Sequence, residues 1–499
     1  MASSRTRVTG MNSGLDTESI ISQLVEARKT KVDKVKKDQM KLEYKQNAWK
    51  DLNKKLKSLQ STISNMQYES SYSKRKTTVS NPNVATVVTS GNAMVATQQL
   101  KVTKLASSAY LTGNKVEYAD TARAGEKMTS GTLLSEIGVS EGESLTIEVG
   151  GKSSTIEVTE GMTLGDLASK VGTSTGLACN FDSATQRFFI GSKESGEAGN
   201  FTISGSAADK LGLDVDPDSK QWIKGSNGKI ELNGVEFESN TNTFEVNGLT
   251  ITANALTDDQ GVTLTTTKDT SAMYDMIKKF VKQYTELINE MDKMYNAETK
   301  TKYEPLTDEE KYAMSDKEAE KWEEKIKEQI LAKDSGVSTI TNSLSEIFNQ
   351  GFKVGDKTMY LFDFGVETAG YFNSADNEKH ALHIKGDEDD EMFSGETNTL
   401  KYMIESDSDA VTSFFSQLNN ELYKKMNEMS KRIEGYRSFG NFFDDVKMKS
   451  DYTDFNSKIS DMEKKLQDYE DKWYDKFAAM EKAMSKMQSN TNAITSMLG

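Results

Sequence analysis

The stretch "LEYKQNAWKDLNKKLKSLQSTISNM", residues 42–66, carries apolar side chains at a seven-residue repeat. Leu42, Trp49, Leu56 and Ile63 form one set, and Leu52, Leu59 and Met66 fill the complementary position. Seven residues make close to two helical turns, so both sets fall on one side of an α-helix and build a coiled-coil seam. Upstream, the same register accommodates Val35 but puts Asp38 and Lys31 on the seam, so the repeat weakens toward the amino terminus. "GLDTES" then precedes Ile20 and Ile21, with Asp16 or Thr17 placed to cap the helix start.

The other end of the chain repeats the pattern. Met462, Leu466, Tyr469, Trp473, Phe477, Met480, Met484 and Met487 recur in steps of three and four, and Met497 follows near the last residue. Chain ends are usually polar and frayed, so a sulfur-rich stripe here demands a partner. Two terminal helices with one sticky edge each can cover one another as an antiparallel pair, with Trp49 and Trp473 on facing stripes. Both stripes exceed what one partner helix covers, and leftover apolar edges point to assembly with other chains.

Between the ends the texture changes twice. "VATVVT", "QLKVTKLA" and "SLTIEVGGKSSTIEV" read as strands, with Gly150 and Gly151 at a hairpin turn. "TEGMTLGDLASKV" reads as a short helix capped by Thr163, with Asp166 in the box position. "RFFIG", "NFTIS" and the Asn-Gly turns in "IELNGVEF" and "TFEVNGLTITA" continue the theme, giving two small β-rich modules between about 100 and 268. Helical spacing resumes with Tyr274, Ile277, Val281, Tyr284, Ile288, Met291 and Tyr295, and cap-like starts follow at Thr307 and Ser315. Val337, Ile340, Leu344 and Ile347 are helical in spacing; "YLFDFGVETAGYF" is a strand with turns. Phe415, Leu418, Leu422, Met426, Met429, Ile433 and Tyr436 then predict one amphipathic helix, and "RSFGNFFDD" an irregular link to the last one.

The 499 residues suggest roughly three to four domains. With 35% hydrophobic and 28% charged residues and a mean hydropathy of -0.64, elongated helices plus small domains fit better than one large core. The net charge of -15 argues against a nucleic-acid binder. Between Arg28 and Lys57, twelve basic residues face four acidic ones, which reads as a solvated helix face. One cysteine, Cys179, excludes an intramolecular disulfide and reads as a small buried filler. The beginning of the sequence has no apolar core of the secretory kind, and no run of about 18 apolar residues predicts a membrane span.

No catalytic or phosphate-binding motif is present, so an enzyme is not expected. His380 and His383 stand as H-x-x-H beside Asp387, Glu388, Asp389 and Asp390, a conceivable metal site. The spacing lacks HExxH and the calcium-loop pattern, so a solvated acidic loop is the expectation, with no metal and no cofactor.

The two ends and the centre together resemble the flagellar filament cap family, also called hook-associated protein 2. The likeness is carried by "GLDTESIISQLVEARKTKVDKVKKDQMKLEYKQNAWKDLNKKLKSL", including Gly14, Leu15 and Asp16, and by "KFAAMEKAMSKMQSNTNAITSMLG". "GMTLGDLASKVGTSTGLACNFDSATQRFFIGSKESGEAGNFTIS" is similar to the repeat module of flagellins and hook-associated proteins, and "NGVEFESNTNTFEVNGLTI" and "IKKFVKQYTELINEM" to cap-protein segments. The resemblance implies an α+β multidomain fold. Residues 1–45 and 455–499 form a terminal coiled-coil leg, and 46–99 with 269–454 a helical domain. Residues 100–143 and 218–268 form a β-rich head domain, and 144–217 a second head module. It further implies a ring of copies at the filament tip, flagellin folding and inserting beneath it, and export through the flagellum's own channel without a cleaved signal. The implied partners are the chain itself, flagellin, hook–filament junction proteins, the flagellar export apparatus and a cytosolic chaperone that shields the last helix. The methionine-rich edge would repack as the subunits beneath it change. A tip adhesin holding host mucus or glycans through the β-rich heads, by way of the loops around "KQWIKGSNGK", is the alternative, with Trp222 there read as an ordinary packed aromatic.

Overall fold

The heptad stretch is realised as part of one uninterrupted helix of 50 residues. The structure, a computed structural model, describes residues 14–300, 302–370, 374–375 and 377–498, with side chains through residue 496. Its α-helices in chain order are α1 (Thr17–Met66), α2 (Leu164–Thr175), α3 (Thr270–Tyr295), α4 (Asp308–Tyr312), α5 (Asp316–Gln329), α6 (Ser335–Phe348), α7 (Thr399–Ser406), α8 (Ser408–Met429) and α9 (Asp445–Leu498). The chain divides into two units: the segment up to Tyr72 together with everything from Thr270 onward, and Ser73–Asp269.

In the first unit, α1 packs along α9, and its carboxyl-terminal half also enters a core built from α3, α6, α7 and α8. Trp49, Leu52, Leu56, Leu59, Ile63 and Met66 are all buried there. α3 contributes Ile277, Phe280, Tyr284 and Ile288, and α8 contributes Phe414, Phe415, Leu418 and Leu422. Each fully buried side chain of this size contributes about 1.5–3 kcal/mol before entropy is counted. Aromatic contacts fix the packing. Tyr284 meets Phe348 edge-on at 4.6 Å, and Phe364 meets Phe414 at 4.6 Å.

The expected caps are formed: Thr307 with Glu310 opens α4, and Ser315 with Glu318 opens α5. The stripe predicted to run through Ile433 and Tyr436 does not stay helical. α8 ends at Met429, and both residues lie beyond it, exposed, in a loop. The Arg437 guanidinium donates to the Met429 carbonyl, one of the acceptors a helix end leaves open, and Gly435 adopts φ +75°.

The second unit holds two apolar clusters. One joins Leu100, Val102, Ile230, Leu232, Phe244, Ile251 and Leu264. Its five-stranded antiparallel sheet runs Arg75–Val79, Val262–Lys268, Thr97–Lys104, Gly228–Leu232, Val235–Ser239, and its three-stranded sheet runs Thr243–Val246, Leu249–Ala253, Ala85–Thr89. Both Asn-Gly turns form as read, with positive φ at Asn233, Gly234, Asn247 and Gly248, as a two-residue hairpin loop requires. The other cluster spans Ala109 to Val215 and packs α2 on two small sheets. Thr163 and Asp166 close the capping box of α2. Residues 109–139 therefore share a core with 145–215.

Candidate assembly surface

Asp16 caps α1 by accepting from the Ser19 amide at 3.0 Å, and Thr17 is the first helical residue and is buried. Gly14, with φ +70°, and Leu15 precede it, both exposed. From there the two terminal helices run antiparallel. The Arg28 guanidinium sits 3.6 Å over the Tyr469 ring, Lys36 pairs with Glu463 at 2.6 Å, and Gln39 donates to Asn456 at 2.7 Å. At the far end Trp49 stacks on Phe443, with centroids 5.9 Å apart and planes 10° apart. Asn53 accepts from the Phe442 amide at 2.9 Å and donates to Asn441 at 3.0 Å.

The pairing of the ends is as expected; the pairing of the stripes is not. Trp49, Leu52, Leu56, Leu59 and Ile63 face the helical core, while Leu42 is half-buried. Met462, Leu466, Tyr469, Trp473, Phe477, Met480 and Met484 are instead each half-buried on α9, the first five along the amino-terminal half of α1, and Met487 is 69% exposed. Trp49 and Trp473 thus stand at opposite ends of the paired segment rather than face to face. The side of α1 that meets α9 runs through Ile21, Arg28 and Val32. Sequence reasoning missed it because Arg28 reads as polar, although seven residues separate it from Ile21. A guanidinium on an aromatic face does the work of an apolar residue there. Tyr469, Trp473 and Phe477 form a ladder with centroids 6.1 Å apart at each step. The Trp473 Nε1 is buried with no hydrogen-bond partner among the described residues. Met497 lies outside the described side chains.

The basic face of α1 is not simply solvated. Lys29 reaches Glu309 at 2.6 Å, Lys37 reaches Glu310 at 2.7 Å, Lys41 reaches Glu304 at 3.0 Å and Lys45 reaches Asp334 at 2.7 Å. Spaced eight, four and four residues apart, these lysines share one side of the helix and bind the acidic segment around α4 and the start of α6. Desolvation works to raise the Glu310 carboxyl, but Lys37 and the Thr307 amide outweigh it and hold its pKa below the usual value.

The two histidines do not converge. His380 Nδ1 bonds Asp292 of α3 at 2.8 Å, and His383 Nδ1 bonds Asp390 at 2.7 Å. No group of three His, Cys, Asp or Glu side chains placed to hold a metal occurs among the described residues. Nor is the acidic loop wholly solvated, because Asp387 is buried and, with Asp389, binds Lys278. Burial opposes the Lys278 charge, yet the two carboxylates drive its pKa upward. Cys179 is half-buried, and burial pushes its thiol up to about 12, which keeps it protonated and unreactive. Trp222 packs against Phe201 at 5.4 Å, as the reading of an ordinary packed aromatic expects.

The comparisons with known proteins agree at both ends. The family model described as the flagellar hook-associated protein 2 C-terminus matches residues 225–489, and that of the N-terminus matches 13–109. The flagellar hook-associated protein 2 of Halalkalibacterium halodurans is 22% identical over 528 aligned positions, covering 96% of this chain and 97% of that one. The A-type flagellar hook-associated protein 2 of Pseudomonas aeruginosa is 28% identical over 309 positions, 58% of this chain and 63% of its own length. Among solved structures, the D1, D2 and D3 domains of the flagellar cap protein from Escherichia coli share the fold. The TM-score is 0.50 at 20% identity, covering 75% of this chain and 94% of that one.

Proposed function

The chain belongs to the flagellar hook-associated protein 2 family, the cap proteins of the flagellum, and from that premise we propose how its two ends serve a cap at the filament tip. Copies of the chain form a ring whose β-rich heads make a plate. The paired ends form a leg that reaches toward flagellin, and flagellin folds and inserts beneath the plate. The observation that supports this reading is the half-buried stripe from Met462 to Met484, which one partner helix leaves partly open. A structural protein with such an edge can hold successive neighbours without chemistry.

Within each unit we propose the four-part division into leg, helical domain and two β-rich head modules. Residues 109–139 are assigned to the inner module, with whose core they pack. Export through the flagellar channel without a cleaved signal, a cytosolic chaperone over the last helix, and contact with the hook–filament junction proteins complete the reading.

Deletion and complementation test it. Cells lacking the chain are expected to release flagellin without filaments, and the full chain to restore filaments. Full-length filaments in the deletion strain would overturn the proposal. Replacing Met480, Met484 and Met487 together by leucine is expected to keep helix content and shorten filaments. Unchanged filament length would remove the role given to methionine.

A further inference from the structure

The loop joining α8 to α9 exposes three large apolar side chains within seven residues: Ile433 at 46%, Tyr436 at 50% and Phe439 at 83%. Isolated exposed apolar residues are ordinary, but several on a fixed backbone are not. This backbone is fixed many times over. Ile433 and Arg437 exchange both backbone hydrogen bonds at 3.0 and 2.9 Å. Arg437 donates to Asp444 from Nε and Nη2 at 3.0 and 2.8 Å. The Tyr436 carbonyl accepts from the amides of Val446 and Lys447, and the Ser438 amide donates to Asp445 at 2.8 Å. Gly440 donates to the Ser430 carbonyl at 2.8 Å. The knob is therefore ordered before any partner arrives, which removes much of the entropy cost of docking.

Basic residues outnumber acidic ones in this segment, five to three between 431 and 449. Lys431 in the loop, Lys449 near the start of α9 and Lys50 on α1 are exposed and pair with no carboxylate among the described residues, and Lys57 donates to the neutral Asn441 at 2.9 Å. Lysines without a carboxylate partner stand out on a chain of net charge -15, and the exposed Glu434 of the same loop is taken up by Arg432 at 2.8 Å. Phe443, on the same loop, stacks on Trp49, so the knob sits where α1 passes from α9 into the helical core. That place is the root of the proposed leg.

We infer that residues 431–449 form a docking knob for a protein surface with an apolar groove edged by carboxylates. Resting on the function proposed above, that surface belongs to flagellin. Ile433, Tyr436 and Phe439 fill the groove, and the lysines speed encounter and set orientation.

The test uses the full chain with monomeric flagellin from the same organism as the probe. Binding is read by biolayer interferometry at low and high salt, and self-association by sedimentation velocity. Y436A/F439A is expected to weaken capture of flagellin at least about tenfold. K431E/K449E is expected to slow association at low salt, with the difference shrinking as salt rises. Neither variant alters self-association or melting. If both variants bind flagellin like wild type, the knob is wrong while the proposed function stands. Loss of self-association with flagellin binding intact gives the surface to a second copy and also overturns the inference. Failure of wild type to capture flagellin overturns both.

Discussion

Trp49 and Trp473 are the same residue on two helices with similar apolar spacing, and they end in different surroundings. Trp49 is 2% exposed, stacked on Phe443, with Leu52 and Leu56 following it into a core fed by four other helices. Trp473 lies between Tyr469 and Phe477 on a helix paired with α1, with Lys476 4.4 Å over its ring and its indole N–H without a partner among the described residues. Spacing along a helix defines a seam. Burial depends on how many elements close around that seam, and only α1 enters a place where several do.

Leu56 gives the largest expected contrast. It is fully buried, so Leu56→Ala is expected to remove about 2–5 kcal/mol, read as a lowered denaturant midpoint of the helical unit. The comparable cut on the other side, Trp473→Ala, is expected to cost less, about 1 kcal/mol, because the side chain is only partly buried and the neighbours can relax. If the two changes cost the same, the two helices are packed alike and the distinction fails.

Asn53 sharpens the boundary between the regions. Its side chain accepts from the Phe442 amide and donates to Asn441, tying α1 to the turn that starts α9. Asn53→Ala leaves a buried N–H without its acceptor and is expected to cost about 1–3 kcal/mol. Hydrogen exchange at residues 440–448 is expected to rise while residues 460–480 stay unchanged. Equal loosening along all of α9 would mean that the leg and the core unfold as one.

Much of this was legible beforehand, and the failures share a cause. The seam in residues 42–66, the Asp16 cap, the Thr163 box and the Asn-Gly hairpins are local features, set by spacing or by φ at one or two residues, and each is present. What covers a seam is a long-range matter. Arg28 at a contact position, the lysine row bound by α4, and Asp387 held by Lys278 depend on elements that are 109 residues away or more. The end of α8 was misread because Ile433 and Tyr436 keep helical spacing, while the Arg437 guanidinium takes the Met429 carbonyl. The stripe on α9 was readable as residues, but its partner was not.

The smallest effect concerns the third side of α1, where lysines meet α4. Glu310 has its carboxyl held below the ordinary 4.5 by Lys37 and the Thr307 amide, against the pull of desolvation. A lowered folded pKa means that the pair's contribution is complete above the unfolded value and fades as pH falls through the folded one. These groups are partly in water, so the gain is modest and screened by salt. Between pH 6 and pH 3, exchange at residues 305–312, corrected for intrinsic rates, is expected to rise before that of 49–63. Glu310→Gln should show part of that loosening already at pH 6 and a flatter dependence below it. A wild-type segment that stays protected at pH 3 would show that Leu306, only 4% exposed, and not the lysine row, holds the acidic insertion on α1. In that event the ionic side of α1 would resemble its core side, with apolar contact deciding both.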